Sequence, residues 1–167
     1  PNDPEEAQAL SLIRDWDLHT DTANRNAALG VCILLEEWQA ERTGNPLPDA
    51  RETLQTCMES VRDVAGQLNP EWGAVQQHGR GQRTWPAAGG PDTLRAMYAE
   101  QLEDEDDFLT VVAGDGLYYL IEWNAEGEQT IRGTHQYGSQ MIDESSPHYL
   151  DQACLLYTSP SPRDSIA

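Results

Sequence analysis

Near the C-terminal end the sequence gathers groups that do proton-transfer and nucleophilic chemistry: Ser145, Ser146, His148 and Asp151 within one octet, SSPHYLDQ. These are the residue types of a serine–histidine–aspartate relay. Such relays are assembled by the fold, however, and neighbours in sequence seldom reach the required geometry. The reading adopted for His148 is therefore a partly buried structural histidine tying the final loop to a sheet. The remaining histidines, His19, His78 and His135, are scattered without metal-ligand spacing. Cys32, Cys57 and Cys154 form no CxxC or CxxxC pair, so neither a zinc site nor a thioredoxin-like site is expected. Gly79-Arg80-Gly81 lacks the Lys-Ser/Thr of a phosphate loop, which leaves Arg80 and Arg83 as surface or interdomain pairing groups. The run Glu103–Asp107 matches a calcium loop in charge only, without its alternating spacing and turn glycine. It reads as a solvated linker. No cofactor is called for.

These groups need elements to hold them. The 167 residues suffice for a domain with a core. Asp3-Pro4-Glu5-Glu6 is a helix start, with Asp3 as cap, Pro4 in the first turn and Glu6 placed for a capping box. Ala9, Leu12, Ile13 and Trp16 follow on one face, predicting a helix over 4–17. In the connector Trp16–Asp21, the reading of Thr20, Asp21 and Thr22 is as caps for the next helix. Ala27, Ala28, Val31, Leu34, Leu35 and Trp38 mark a second helix, 23–42, ended by Gly44 and Pro46. Asp49 and Glu52 open a third, 50–68, lined by Leu54, Cys57, Met58, Val61, Val64 and Leu68. Its short link to the second helix predicts a packed pair. Cys32 and Cys57 lie on the facing stripes; two buried free thiols are the reading preferred, a disulfide the alternative.

From Glu71 to Gly90 the pattern loosens into a loop with one or two short extended pieces. Gly89-Gly90-Pro91-Asp92 is a turn, and Thr93–Tyr98 a short helix or an extended approach to a sheet. Strands are expected at 108–113, 117–123 and 129–135. The second, LYYLIEW, is apolar nearly throughout, the pattern of a strand covered on both faces. Asn124–Gly127 forms the hairpin loop, with glycine where positive φ is needed. The fold class expected is α+β, three helices followed by an antiparallel strand set.

Net charge is −19, and all ten cationic side chains are Arg. Phosphate backbones require clustered cations, so nucleic acid is excluded as a partner. No apolar run approaches membrane-spanning length.

The order of several separated motifs carries a resemblance. It comprises Trp16-Asp17 with Asp21; Gly89-Gly90-Pro91-Asp92-Thr93-Leu94-Arg95-Ala96; Gly114-Asp115; Tyr137-Gly138 within His135–Ser139; and Pro147-His148-Tyr149 with Asp151-Gln152. In this order the chain resembles the C-terminal part of the penicillin acylase family of N-terminal-nucleophile hydrolases, which includes acyl-homoserine-lactone and aculeacin acylases. The resemblance implies a partial αββα fold over 1–153 and a parent enzyme that removes an acyl group from an amide. Family members often carry a hydroxyl residue at the place of Gly116. The motif residues named are expected to be structural, with contact from Asp17 or Asp21 to a catalytic loop of the earlier part as the alternative.

The resemblance also implies where the chemistry lies. A Ser exposed by self-cleavage is the nucleophile, and its own α-amine is the base. Pro1 cannot serve. Gly133-Thr134 and Gly138-Ser139 leave too little chain beyond them. The expectation is a scaffold segment of the large chain, inactive alone. Its partners would be the earlier part of its own precursor and a small acyl-amide substrate, and the location of the parent periplasmic or secreted. Strand edges and an apolar face should lie uncovered. The alternative is a non-catalytic acidic binding module sharing only the scaffold. Residues 154–167, CLLYTSPSPRDSIA, resemble a translated sequencing adapter and are read as a non-native or disordered tail.

Overall fold

The computed structural model describes residues 3–102, 107–135, 137, 140 and 142–151. The tail 154–167, Gly138, Gln152 and most of the acidic run, 103–106, lie outside them. The chain is α+β and divides into two units, Pro1–Gly114 and Asp115–Ala167.

In the first unit, α1 spans Pro4–Asp15. Asp3 caps it by accepting from the Glu5 N–H at 2.9 Å. The predicted Glu6 capping box gives way to a stronger partner: the Glu6 carboxylate is nearly buried and takes Arg51 of the third helix through Nε at 3.1 Å and a terminal nitrogen at 3.1 Å. A two-pronged ion pair outcompetes one backbone donor. Glu5 also pairs with Arg62.

The second helix, α2 (Ala27–Thr43), begins four residues later than expected. Its cap is Asn26, with no side-chain bond, so the capping roles assigned to Thr20, Asp21 and Thr22 are not realised. The backbone carbonyls of this connector are used instead. Thr20 O accepts from Gly89 N–H at 3.0 Å, Thr22 O from Gly73 N–H at 2.8 Å and Asn24 O from Trp72 N–H at 2.9 Å. Gly44, at φ 70°, ends α2 in the left-handed conformation that glycine adopts without cost.

The third helix, α3, runs Ala50–Ala65, with Asp49 accepting from the N–H of Arg51 and Glu52. It stops at Gly66 rather than near Leu68, although Leu68 is still buried. Cys32 and Cys57 are joined in a disulfide between α2 and α3, their Cα atoms 5.8 Å apart. The alternative, not the preferred free thiols, is what the structure has. The core joins α1, α2 and α3 through Ala9, Leu29, Val31, Leu54, Val61 and Val64.

Beyond α3 the expected loop is ordered. A one-turn helix α4 (Trp72–Val75) feeds a hairpin of β1 (Gln76–Arg80) and β2 (Arg83–Pro86). Two further strands, β3 (Met97–Glu100) and β4 (Leu109–Gly114), complete a four-stranded sheet in the order β2-β1-β4-β3. Thr93–Tyr98 is thus a turn leading into an extended strand, not a helix. The β1–β4 pair is parallel and the others antiparallel. The strands β1 and β2 are the one or two short extended pieces expected between Glu71 and Gly90; their bounds and pairing were not legible because QQHGR is polar and RTWP is too short to show an alternation.

The second unit holds one hairpin, β5 (Leu117–Trp123) and β6 (Gln129–His135), paired over seven registers from Leu117–His135 to Trp123–Gln129. Gly127, at φ 82°, turns it, and Asn124 Oδ1 accepts from the N–H of Glu126 and Glu128. β4 therefore does not pair with β5, and the single strand set expected at 108–135 is two separate sheets. The two-sided cover expected for LYYLIEW is also absent. Tyr119 is 64% exposed and Trp123 65%. Leu117, Tyr119, Ile121 and Trp123 share one face with Ile131, an apolar surface open in this structure.

Candidate functional site

The residues singled out by motif fall into two groups, one in each unit. In the first unit the Trp16–Asp21 connector meets the Gly89–Arg95 turn. Trp16 is half-buried and donates its indole N–H to His19 O at 2.8 Å. Asp17 is exposed, and its carboxylate accepts from the His19 N–H at 3.0 Å and the Asn24 amide at 2.8 Å. The backbone donor from His19, then the Asn24 amide, hold it below the usual carboxylate range. With Oδ1 taken by both donors and its pKa lowered, this carboxylate orders the connector and lacks the raised pKa that suits a general base near neutral pH. Asp21 is exposed and contributes its carbonyl to a turn with the Asn24 N–H at 3.0 Å.

The Gly89–Arg95 turn is buried at its base. Gly89 has φ 96°, and its carbonyl accepts from Trp72 Nε1 at 2.8 Å and from Gln76 Nε2 at 3.1 Å. A Cβ there would lie 2.3 Å from Arg95 O. Only glycine suits such a position, on both conformational and steric grounds. Gly90 and Pro91 are buried, while Asp92 is exposed at φ 53°. The Thr93 hydroxyl lies 3.0 Å from Gly90 O and 2.7 Å from Arg95 O. Gly114 closes β4 where a side chain would strike Ala96 O. Gly89, Thr93 and Gly114 are each explained by packing and backbone bonding.

One group the sequence misplaced is Arg80. It is 5% exposed, with His78 at 3% and Arg95 at 8%, so it is not a surface pairing group. Arg83 is exposed, as expected. Nε2 of His78 has no hydrogen-bond partner. Burial, then the charges of Arg95 and Arg80, push the His78 pKa down from 6.5 to about 4. The imidazole is therefore neutral at pH 7.

In the second unit, the segment Asp143–Asp151 folds as consecutive tight turns. Ser146 N–H donates to Asp143 O, Tyr149 N–H to Ser146 O, and Asp151 N–H to His148 O, each at 3.1 Å. The Ser145 hydroxyl donates to Asp143 Oδ1 at 2.6 Å, which lowers the Asp143 pKa. Pro147 is exposed; Tyr137 and Tyr149 are half-buried, as is Asp115. His148 is not the buried tie expected. Its side chain is 67% exposed, and Nδ1 lies 2.8 Å from Asp151 Oδ2. The imidazole orders its own turn because its partner sits only three residues on. The Ser146 hydroxyl accepts from the His148 backbone N–H at 3.2 Å and is engaged there rather than with the ring. The relay residue types are present without relay geometry.

A feature unmarked by any motif is a cleft of about 760 Å³ in the first unit, beneath the second half of α2. Only Ala27–Val31 of this helix are buried. Further along, Leu35 and Trp38 overhang a floor built from Val61, Val64, Met97 and Leu109. Trp38 packs on Tyr98 of β3 with ring centroids 5.1 Å apart, and the Arg42 guanidinium sits 5.1 Å from the Trp38 ring centre. The signal available in the sequence is the apolar stripe of α2 continuing through Leu34, Leu35 and Trp38.

Among the described residues no cluster of three or more His, Cys, Asp or Glu side chains has the arrangement to hold a metal ion. Among them, too, no helix is long and apolar enough to cross a membrane. No protein-family model matches the chain, and no curated protein matches it significantly.

Proposed function

We propose that this chain is a scaffold segment of a penicillin-acylase-like amide hydrolase whose nucleophilic serine is carried on an earlier part of the same precursor. The observation that supports this reading most directly is the junction of two motifs distant in sequence. Thr20 O receives the Gly89 N–H at 3.0 Å, which binds the Trp16–Asp21 connector to the Gly89–Arg95 turn. Motifs that bear on one fold are expected to meet in it. The Cys32–Cys57 disulfide suits an oxidising, exported location. The open apolar face of β5–β6 is what a strand pair lacking its neighbouring sheet layer would present.

In the parent, the α-amine of the N-terminal Ser takes the hydroxyl proton as the oxygen attacks the amide carbonyl. The amine product leaves with that proton, and water then releases the acid. This segment's part is to support the sheets on which that serine is mounted, in an αββα arrangement. Activity should appear only when the preceding sequence is supplied. The test is to recover the contiguous upstream coding sequence, express the precursor, and assay self-cleavage and turnover of phenylacetyl, fatty-acyl and lipopeptide amides. A Ser behind a cleavable Gly, with turnover abolished by Ser→Ala, is the expected result. An upstream frame without such a Ser, or hydrolysis by the 167-residue chain alone, would overturn the proposal.

The cleft beneath α2 favours a second reading, a non-catalytic acidic binding module. The same upstream sequence separates the two, since a module requires no processed serine.

A further inference from the structure

The cleft in the first unit has a chemical character that its position alone does not explain. Its volume, about 760 Å³, is that of a site for a small organic molecule. The floor is aliphatic, and the aromatic pair Trp38–Tyr98 forms one wall. The charged groups along it are Glu36 on α2, Glu100 at the end of β3, and Arg42. Arg42 is already stacked over the Trp38 ring. Neither Glu36 nor Glu100 has an ion-pair partner among the described residues. An anionic ligand would meet two carboxylates for one engaged guanidinium, within a chain of net charge −19. A neutral apolar ligand would leave both carboxylates unused.

We infer that the cleft binds an amphiphilic amine, with its apolar body over Val61, Val64 and Met97 and its ammonium at Glu36 and Glu100. Two features give the selectivity. The aliphatic floor rewards each buried methylene, and the carboxylates reward a positive head. The site lies wholly in the first unit, and the inference does not rest on the hydrolase reading.

The test uses the 167-residue chain and three probes of one length, octylammonium, octanoate and 1-octanol, titrated below their micelle concentrations. Binding is followed by calorimetry and by methyl NMR. Octylammonium should bind at least about tenfold more tightly than the other two, the equivalent of one charge-assisted contact. Its shifts should fall on Val61, Val64 and Met97. The Glu36→Gln/Glu100→Gln variant should bring its affinity down to that of octanol. Ethylammonium, which carries the charge without the tail, should not bind. Equal binding of all three octyl probes, no binding by any, a preference that survives in the double variant, or shifts confined to β5–β6 would each overturn the inference. Both exchanged side chains are at the surface, and the ranking of probes on the unaltered chain decides the matter without the variant.

Discussion

The indole of Trp16 lies against Gly30, where a Cβ built on the glycine would sit 2.2 Å from Trp16 Cε3. The close approach lets the residue after α1 pack on the first turns of α2. Gly30→Ala must displace the indole and weaken its bond to His19 O. Overpacking of this kind costs ~1–3 kcal/mol, and the loss should appear as a lower denaturant midpoint at unchanged slope. An unchanged midpoint would show that the indole has room to retreat.

The Cys32–Cys57 bridge closes a separation of 25 residues. Chain-entropy arguments put its contribution at about 3 kcal/mol, through restriction of the unfolded chain. Cys32→Ser/Cys57→Ser should lose stability of this order. Alkylation of the unreduced, denatured chain should leave both residues unmodified, which mass spectrometry reads directly. Modification of either without reductant would count against the bridge.

His78 gives a pH dependence with a definite sign. Its pKa falls from 6.5 to about 4 in the fold. Between these values the unfolded chain holds a proton that the folded chain does not. Stability from this group is therefore full above pH 6.5, declines as the pH falls to about 4, and is constant below. The total is ~3 kcal/mol. His78→Asn should flatten the denaturation-midpoint profile over this window. A parallel profile for the two proteins would remove His78 as its source.

Gly89 combines φ 96° with a carbonyl shared by Trp72 and Gln76. Gly89→Ala adds a methyl against Arg95 O and places an L-residue in a region it rarely adopts. A loss above ~2 kcal/mol is expected. Trp72→Phe leaves the same carbonyl with its Gln76 donor, so the lost bond itself costs ~1 kcal/mol, and truncation of the buried indole adds a cavity cost. Thermal melts of the two variants measure both losses.

Much of this was legible in the sequence because local chemistry fixed it. Asp3 and Asp49 act as caps, Gly44 ends α2, Gly127 takes positive φ, and the stripe of α3 is buried as its spacing required, while that of α1 buries Ala9 and half-buries Leu12, Ile13 and Trp16. These depend on neighbours within a few residues. Candidate-site residues were legible only as types. Ser145, Ser146, His148 and Asp151 are where a turn needs them, and that use was indistinguishable in sequence from a relay.

What the chain by itself determined is its three long helices, the glycine turns at Gly44 and Gly127, its acidity and the hairpin β5–β6. The tertiary structure alone decided that Glu6 leaves its own helix end for Arg51, that polar Gln76–Arg80 becomes the strand between β2 and β4, that Cys32 and Cys57 join, and that LYYLIEW stays open. Each depends on a partner distant in sequence. The free energy of burial or pairing belongs to the pair, and no single segment carries its signal.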